Sequence, residues 1–176
     1  MPDVAPQAKT STLLNLLSLG NFAVGMGAFV VIGIITPVAE GLNVSKADAG
    51  LILTVYALAY AVLSPIGAAL TGRFPRRTVL AGALALFCIG SALSALAWSL
   101  PLLIASRVPV AFGAALFTPL AASLAVAISP PDQRGRALAK VFGGLTLAQV
   151  VGVPLGAWLA YRFGWQMAFW SVAGLA

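Results

Sequence analysis

Arg107 is the only charged side chain between residues 78 and 131, and it stands about six residues inside an otherwise apolar run. An arginine in the middle of a membrane-crossing helix costs about 2.5–3.5 kcal/mol to insert, less where it reaches an interface. Such a residue either snorkels its guanidinium out to water or faces a polar cavity or partner. The second arrangement is suited to binding a solute or to coupling a proton movement. Tyr56, Tyr60 and Ser64 recur at intervals of four, which puts their hydroxyls along one stripe of a helix. That stripe either lines a cavity or bonds across helices. Asn21 and Gln149 also lie inside apolar runs and join Tyr56 and Tyr60 as cavity-lining candidates.

The remaining chemistry is narrow. The chain has no histidine, which removes imidazole proton relays, histidine metal sites and histidine-dependent triads. Its four acids, Asp3, Glu40, Asp48 and Asp132, all lie at the start or in hinges. No carboxylates pair at helical spacing, so neither a metal site nor acid–base hydrolysis has a constellation. Cys88 is the single cysteine and has no internal disulfide partner. No cofactor is implied, and an enzyme is not expected.

The elements that must position these residues are apolar helices. Charge-free stretches cover 10–39, 49–72, 78–106, 108–131, 141–161 and 163–176. A soluble helix needs charges along its wet face, and these stretches leave no place for them. About 20 helical residues cross a bilayer core, so the first five are long enough and the last, of 14 residues, is not. Hydrophobic residues make up 61% of the chain, charged residues 8%, and the mean hydropathy is +1.02. The net charge of +6 is concentrated in Arg73, Arg76 and Arg77 and in Arg134, Arg136 and Lys140, each group flanking an apolar run. This distribution fits membrane anchoring rather than nucleic-acid binding. With Lys9, seven basic residues fall on one side and only Lys46 and Arg162 on the other. The asymmetry predicts a cytoplasmic N-terminus. The first run is too long for a cleavable signal and reads as a retained anchor.

The spacing predicts a polar lead over 1–12, then helices at about 13–36, 48–72, 78–98, 101–127 and 138–160, with an incomplete sixth over 165–176. The first is expected to end near Pro37. Trp98, Trp158, Tyr161 and Trp165 fall close to one boundary, where amphipathic rings anchor. Glu40 and Asp48 read as solvated boundary charges. Asp132 is expected to pair locally with an arginine or to stabilise the start of the fifth helix.

The segment Pro65–Phe74 matches Pro154–Phe163 at six of ten positions with an offset of 89. The two copies end helices two and five, three spans apart, so they cross in opposite senses. That is the signature of a three-plus-three inverted repeat. The fifth helix carries Gly144, Ala148, Gly152, Gly156 and Ala160, a small residue at every fourth place, with Pro154 among them. Such a face serves close packing, or movement of the helix against its partner, and the two are compatible.

In this order and spacing the motifs resemble the major facilitator superfamily, specifically its drug–proton antiporter branch of the bacterial sugar, purine and drug efflux type. The family's loop motif G-x-x-x-D-R-x-G-R-R is similar to Gly67-Ala-Ala-Leu-Thr-Gly-Arg73-Phe-Pro-Arg76-Arg77, with Thr71 in place of the carboxylate and Phe74 in place of the glycine. Its fourth-helix motif R-x-x-x-G-x-G-A-A is similar to Arg107 through Ala115, with Ala111 replacing the first glycine. Gly152-Val-Pro-Leu-Gly156 is similar to the antiporter motif of the fifth helix. PPDQRGRA before that helix and Phe163-Gly-Trp-Gln with Phe169 also resemble that branch.

The resemblance implies an all-α membrane protein, here an N-terminal six-helix bundle cut within helix six. It implies proton-coupled efflux of a small solute by alternating access, with Arg107 in proton coupling and the Pro154 region favouring export. The implied partners are the lipid bilayer, a small-molecule substrate, protons and a C-terminal six-helix half. The alternative is a membrane-embedded fragment or half-size subunit that transports nothing without a second bundle.

Overall fold

A helix that lies in hydrocarbon must satisfy its backbone polar groups internally, and each apolar run folds as one continuous helix. The computed structural model describes residues 4–176, with side chains from residue 10 onward. The side chain of Lys9, counted above with the basic side, and all of Asp3 lie outside the described residues. The helices are α1 (Val4–Leu42), α2 (Lys46–Thr71), α3 (Arg76–Ala95), α4 (Leu100–Ile128), α5 (Arg134–Phe163) and α6 (Trp165–Leu175), with a 3-10 turn at Pro131–Gln133 before α5. The first five are long and apolar enough to cross a membrane. The sixth has 11 residues, fewer than the roughly 20 a crossing needs. The result is a six-helix, all-α membrane bundle.

Several helix ends depart from the sequence expectation: α1 starts at Val4, within the expected polar lead, α5 starts at Arg134 rather than 138, and α3 ends at Ala95 rather than 98. α1 does not stop at Pro37 but carries it, buried, inside the helix and runs on to Leu42. A proline inside a packed membrane helix is tolerated because neighbours compensate the lost bond. The true stop is Asn43, which takes a left-handed φ of 54°. Its N–H donates to the Glu40 carbonyl at 3.3 Å, and that of Val44 donates to the Ala39 carbonyl at 2.9 Å. This is a Schellman ending with asparagine in glycine's usual place. Ser45 then starts α2: its hydroxyl accepts from the Asp48 N–H at 3.1 Å and donates to the Asp48 carboxylate at 2.6 Å. Asp48 is therefore half of a capping pair as well as a boundary charge.

The packing follows the internal repeat. α1 lies along α5 as α4 lies along α2, and the repeat exchanges these two pairs. Gly67 on α2 is buried against Leu116 and Phe112 of α4, and its counterpart 89 residues on, Gly156 of α5, against Val30 of α1. α1 runs through the middle, with Val24, Met26, Val30, Val31, Ile34 and Val38 all 0–2% exposed. α2 buries only Ala49, Ile52 and Gly67, and exposes Leu51, Leu58, Val62, Ile66 and Leu70.

Of the four expected boundary aromatics, Trp98, Trp158 and Tyr161 are exposed at 81%, 57% and 68%. Trp165 is not an anchor: it is 4% exposed, stacks edge-on with Phe169 at 6.0 Å, and sets its indole against Gly41 of α1. It opens α6 on the helix face that also buries Ala168, Phe169 and Val172, so it turns into the core. Asp132 makes no ion pair among the described residues, contrary to the first of the two roles expected of it. It sits exposed in the 3-10 turn one residue ahead of the capping position.

Candidate functional site

The lone interior charge points inward. Arg107 is 1% exposed and, among the described residues, is the only charged one that is buried; it does not reach the surface. Its Nη2 donates to the Gly27 carbonyl of α1 at 2.7 Å. The guanidinium carbon lies 5.1 Å from the ring centroid of Tyr56 on α2 and 5.4 Å from that of Phe169 on α6. Aromatic faces at such distances attract a cation, by about 2 kcal/mol or more where water is excluded. Nε and Nη1 have no hydrogen-bond partner. A buried guanidinium with two idle nitrogens and no carboxylate beside it is a strong anion-seeking group held in low dielectric.

A second polar group lies about three turns along α4 from Arg107, at Thr118. Asn21 on α1, 0% exposed, donates its amide to the Val141 carbonyl of α5 at 3.1 Å and accepts from the Thr118 hydroxyl of α4 at 3.0 Å. Tyr60 of α2 sits against Thr118, and its ring centroid is 6.3 Å from that of Tyr56. One polar seam thus crosses α5, α1, α4 and α2 and meets the Arg107 cluster at Tyr56.

The candidates named from the sequence separate accordingly. Arg107, Tyr56, Tyr60 and Asn21 come together. Asn21 lines no open surface, because both ends of its amide are used in ties between helices. Tyr56 and Tyr60 are half-buried, and Gln149 is exposed on α5, away from the cluster. Gly144, Ala148, Gly152 and Gly156 are buried, and they face α1. A Cβ on Gly144 would collide with the Ser18 carbonyl oxygen, and one on Gly25 would stand 2.6 Å from the Ala148 methyl. Pro154 is exposed on the other side of the helix. Of the loop motif, Gly67 is buried, whereas Arg73, Arg76 and Arg77 are exposed. Thr71, in the carboxylate position, donates back to the Gly67 carbonyl at 2.6 Å.

Sequence reasoning did not identify Gly27 or Thr118, and it noted Phe169 only as part of the motif after the fifth helix, not as a neighbour of Arg107. Gly27 acts through its backbone. Thr118 had a signal, as a hydroxyl eleven residues beyond Arg107 on the same helix.

Residues 17–176 match the family model described as the Major Facilitator Superfamily. The chain is 35% identical over 156 residues to the uncharacterized MFS-type transporter YtbD of Bacillus subtilis (strain 168), covering 89% of this chain and 39% of that protein. Among solved structures it is similar to the proton:xylose symporter XylE (TM-score 0.77, 20% identity, 96% of this chain and 43% of that one). It is also similar to a bacterial homolog of the human lysosomal transporter Spinster in an inward-facing, unoccupied conformation (TM-score 0.75, 23% identity, 97% and 41%). The chain therefore spans about 39% of the length of the curated relative it matches.

Proposed function

Because this chain belongs to the Major Facilitator Superfamily, a family of transporters rather than enzymes, we propose that it forms one wall of a proton-coupled exporter of a small solute, with Arg107 as its coupling residue. The observation that carries this reading is the inward guanidinium with Nε and Nη1 unpartnered. A cation left partly unsatisfied in the interior favours whichever state of the cycle brings an anionic group or a water to it. A proton gained or lost nearby shifts that preference. The fourth-helix motif from Arg107 to Ala115 and the Gly152-Val-Pro-Leu-Gly156 segment support placement in the drug–proton antiporter branch.

The path is completed by a second six-helix half, consistent with this chain covering 39% of its relative. The exposed faces of α2 and α5 are its docking surface, and alternating access is a rocking of the two halves. The basic turns at Arg73–Arg77 and Arg134–Lys140 lie on the cytoplasmic side of the cell membrane, with the N-terminus.

The test is transport by the protein containing both halves, reconstituted in vesicles with an imposed pH gradient. Arg107→Ala and Arg107→Lys are expected to abolish gradient-driven export while leaving insertion intact. Undiminished coupled export in either variant removes Arg107 from the role. This chain alone is expected to give no flux.

A further inference from the structure

The interior of the described bundle carries a positive charge that no described residue offsets. Arg107 is buried. The acids among the described residues, Glu40, Asp48 and Asp132, lie near helix ends or in the turn before α5, and all three are exposed. Nη2 is engaged by the Gly27 carbonyl, whereas Nε and Nη1 are sealed from the surface without a partner. Buried charges are normally paired, so this one is left with unanswered demand for an anion.

The two rings on the guanidinium differ in what they leave open. Phe169 of α6 is 0% exposed and closes one side, its centroid 5.4 Å from the guanidinium carbon. Tyr56 of α2 covers another side at 5.1 Å and is only half-buried. Its hydroxyl makes no hydrogen bond among the described residues and is not sealed from the surface. Tyr56 therefore sets its ring against the buried cation and keeps its O–H open to a partner. Tyr60, one turn on, is also half-buried, and its ring centroid stands 6.3 Å from that of Tyr56. The open side of the arginine is an aromatic wall with a free donor and, among the described residues, no carboxylate.

On the reading that this chain forms one wall of a solute path, we propose that the solute is an organic anion. Its anionic group accepts from the Tyr56 hydroxyl within the field of Arg107, and its apolar part rests on the Tyr56 and Tyr60 rings. In an interior of low dielectric a charge acts over several ångströms, so Arg107 selects the solute without touching it. An anion is drawn to this wall, and a neutral molecule of the same shape less so. A cation meets a like charge and finds no acid to receive it.

Thermal unfolding of the protein containing both halves, in neutral detergent, reads this selectivity. Benzoate, benzamide and benzylammonium, added at constant ionic strength, share a ring and differ in charge. Benzoate is expected to raise Tm saturably, with a half-saturating concentration about tenfold or more below that of benzamide. Benzylammonium should give no saturable rise. R107M keeps a side chain of similar length and should bring benzoate and benzamide to within about twofold of each other. Y56F keeps the ring and the arginine, and should raise the benzoate half-saturation about fivefold for one lost bond. K46Q/R162Q removes two exposed cations and should leave the benzoate curve unchanged. Equal protection by all three probes would mean that a carboxylate of the second half already neutralises Arg107, and it overturns the proposal. So does a benzoate preference that survives in R107M, a Y56F curve matching the parent, a K46Q/R162Q effect as large as that of R107M, or no saturable protection by benzoate. No gradient enters this measurement, so its failure is separate from that of the coupling role, which export by the Arg107→Ala variant decides.

Discussion

The guanidinium carbon of Arg107 stands 5.1 Å from the ring centroid of Tyr56, so the one buried charge of the described bundle is held against the hydroxyl stripe of α2. This contact joins α4 to a helix with few other buried residues. α2 fully buries only Ala49, Ile52 and Gly67, so the ring–cation pair contributes to the seating of α2 as well as to the site.

Tyr56→Phe keeps the ring and is expected to leave bundle stability within about 0.5 kcal/mol, whereas Tyr56→Ala loses roughly 1–2 kcal/mol of cation–π attraction as well as packing. A double-mutant cycle with Arg107→Met, read by unfolding in mild detergent, should show coupling for Ala and almost none for Phe. Equal coupling in both would place the interaction in the hydroxyl rather than the ring.

Arg107→Met should separate stability from function. The arginine makes one hydrogen bond and leaves two nitrogens idle. Replacing such a group by an apolar side chain of similar length is neutral or stabilising, by up to about 4 kcal/mol. The expected result is an unchanged or raised Tm together with lost gradient-driven export by the two-half protein. A Tm lowered by several degrees would mean that the site is satisfied in ways the single Gly27 bond does not represent.

The helices and the inward arginine were legible because both depend on charge placement. An interior with one charge forces that charge toward whatever polar surface exists, and an uncharged run has little choice but to be a helix in lipid. The end of α1 was misread because Pro37 carries a stop signal in water that a packed membrane helix overrides. Asn43 carried the better signal, in a type that tolerates a left-handed φ. Trp165 was misplaced for a related reason: aromatic type and proximity to a boundary do not say which face of α6 turns inward. That Phe169 and Gly27 meet Arg107 could not be read, since those contacts exist only after three helices have packed.

Thr118→Val tests the seam between Asn21 and its neighbours. The change is nearly isosteric and leaves the Asn21 amide oxygen without its donor at 3.0 Å. The cost expected is about 1 kcal/mol, in the range for buried hydrogen bonds between membrane helices. Thermal unfolding checks it, and Ser123→Ala serves as control, because Ser123 bonds only to the Leu120 carbonyl of its own helix.

Two adjacent glycines of α5 should respond in opposite ways, which decides what the small-residue stripe does. Ser18 donates to the Lys140 carbonyl at 2.8 Å and Asn21 to that of Val141, so α1 grips α5 at two successive backbone positions. The stripe continues this grip as a close-fitting seam, and a helix so held is expected not to slide along its partner. A Cβ on Gly144 meets the Ser18 backbone, whereas one on Gly143 meets nothing within 4 Å. Gly144→Ala must therefore push the two helices apart and is expected to cost roughly 1–3 kcal/mol. Gly143→Ala removes backbone entropy from the unfolded chain without a clash and should be neutral or stabilise by up to about 1 kcal/mol. Unfolding of the two variants side by side checks this. A tolerated Gly144→Ala would mean that the α1–α5 seam yields easily, restoring sliding as the purpose of the stripe.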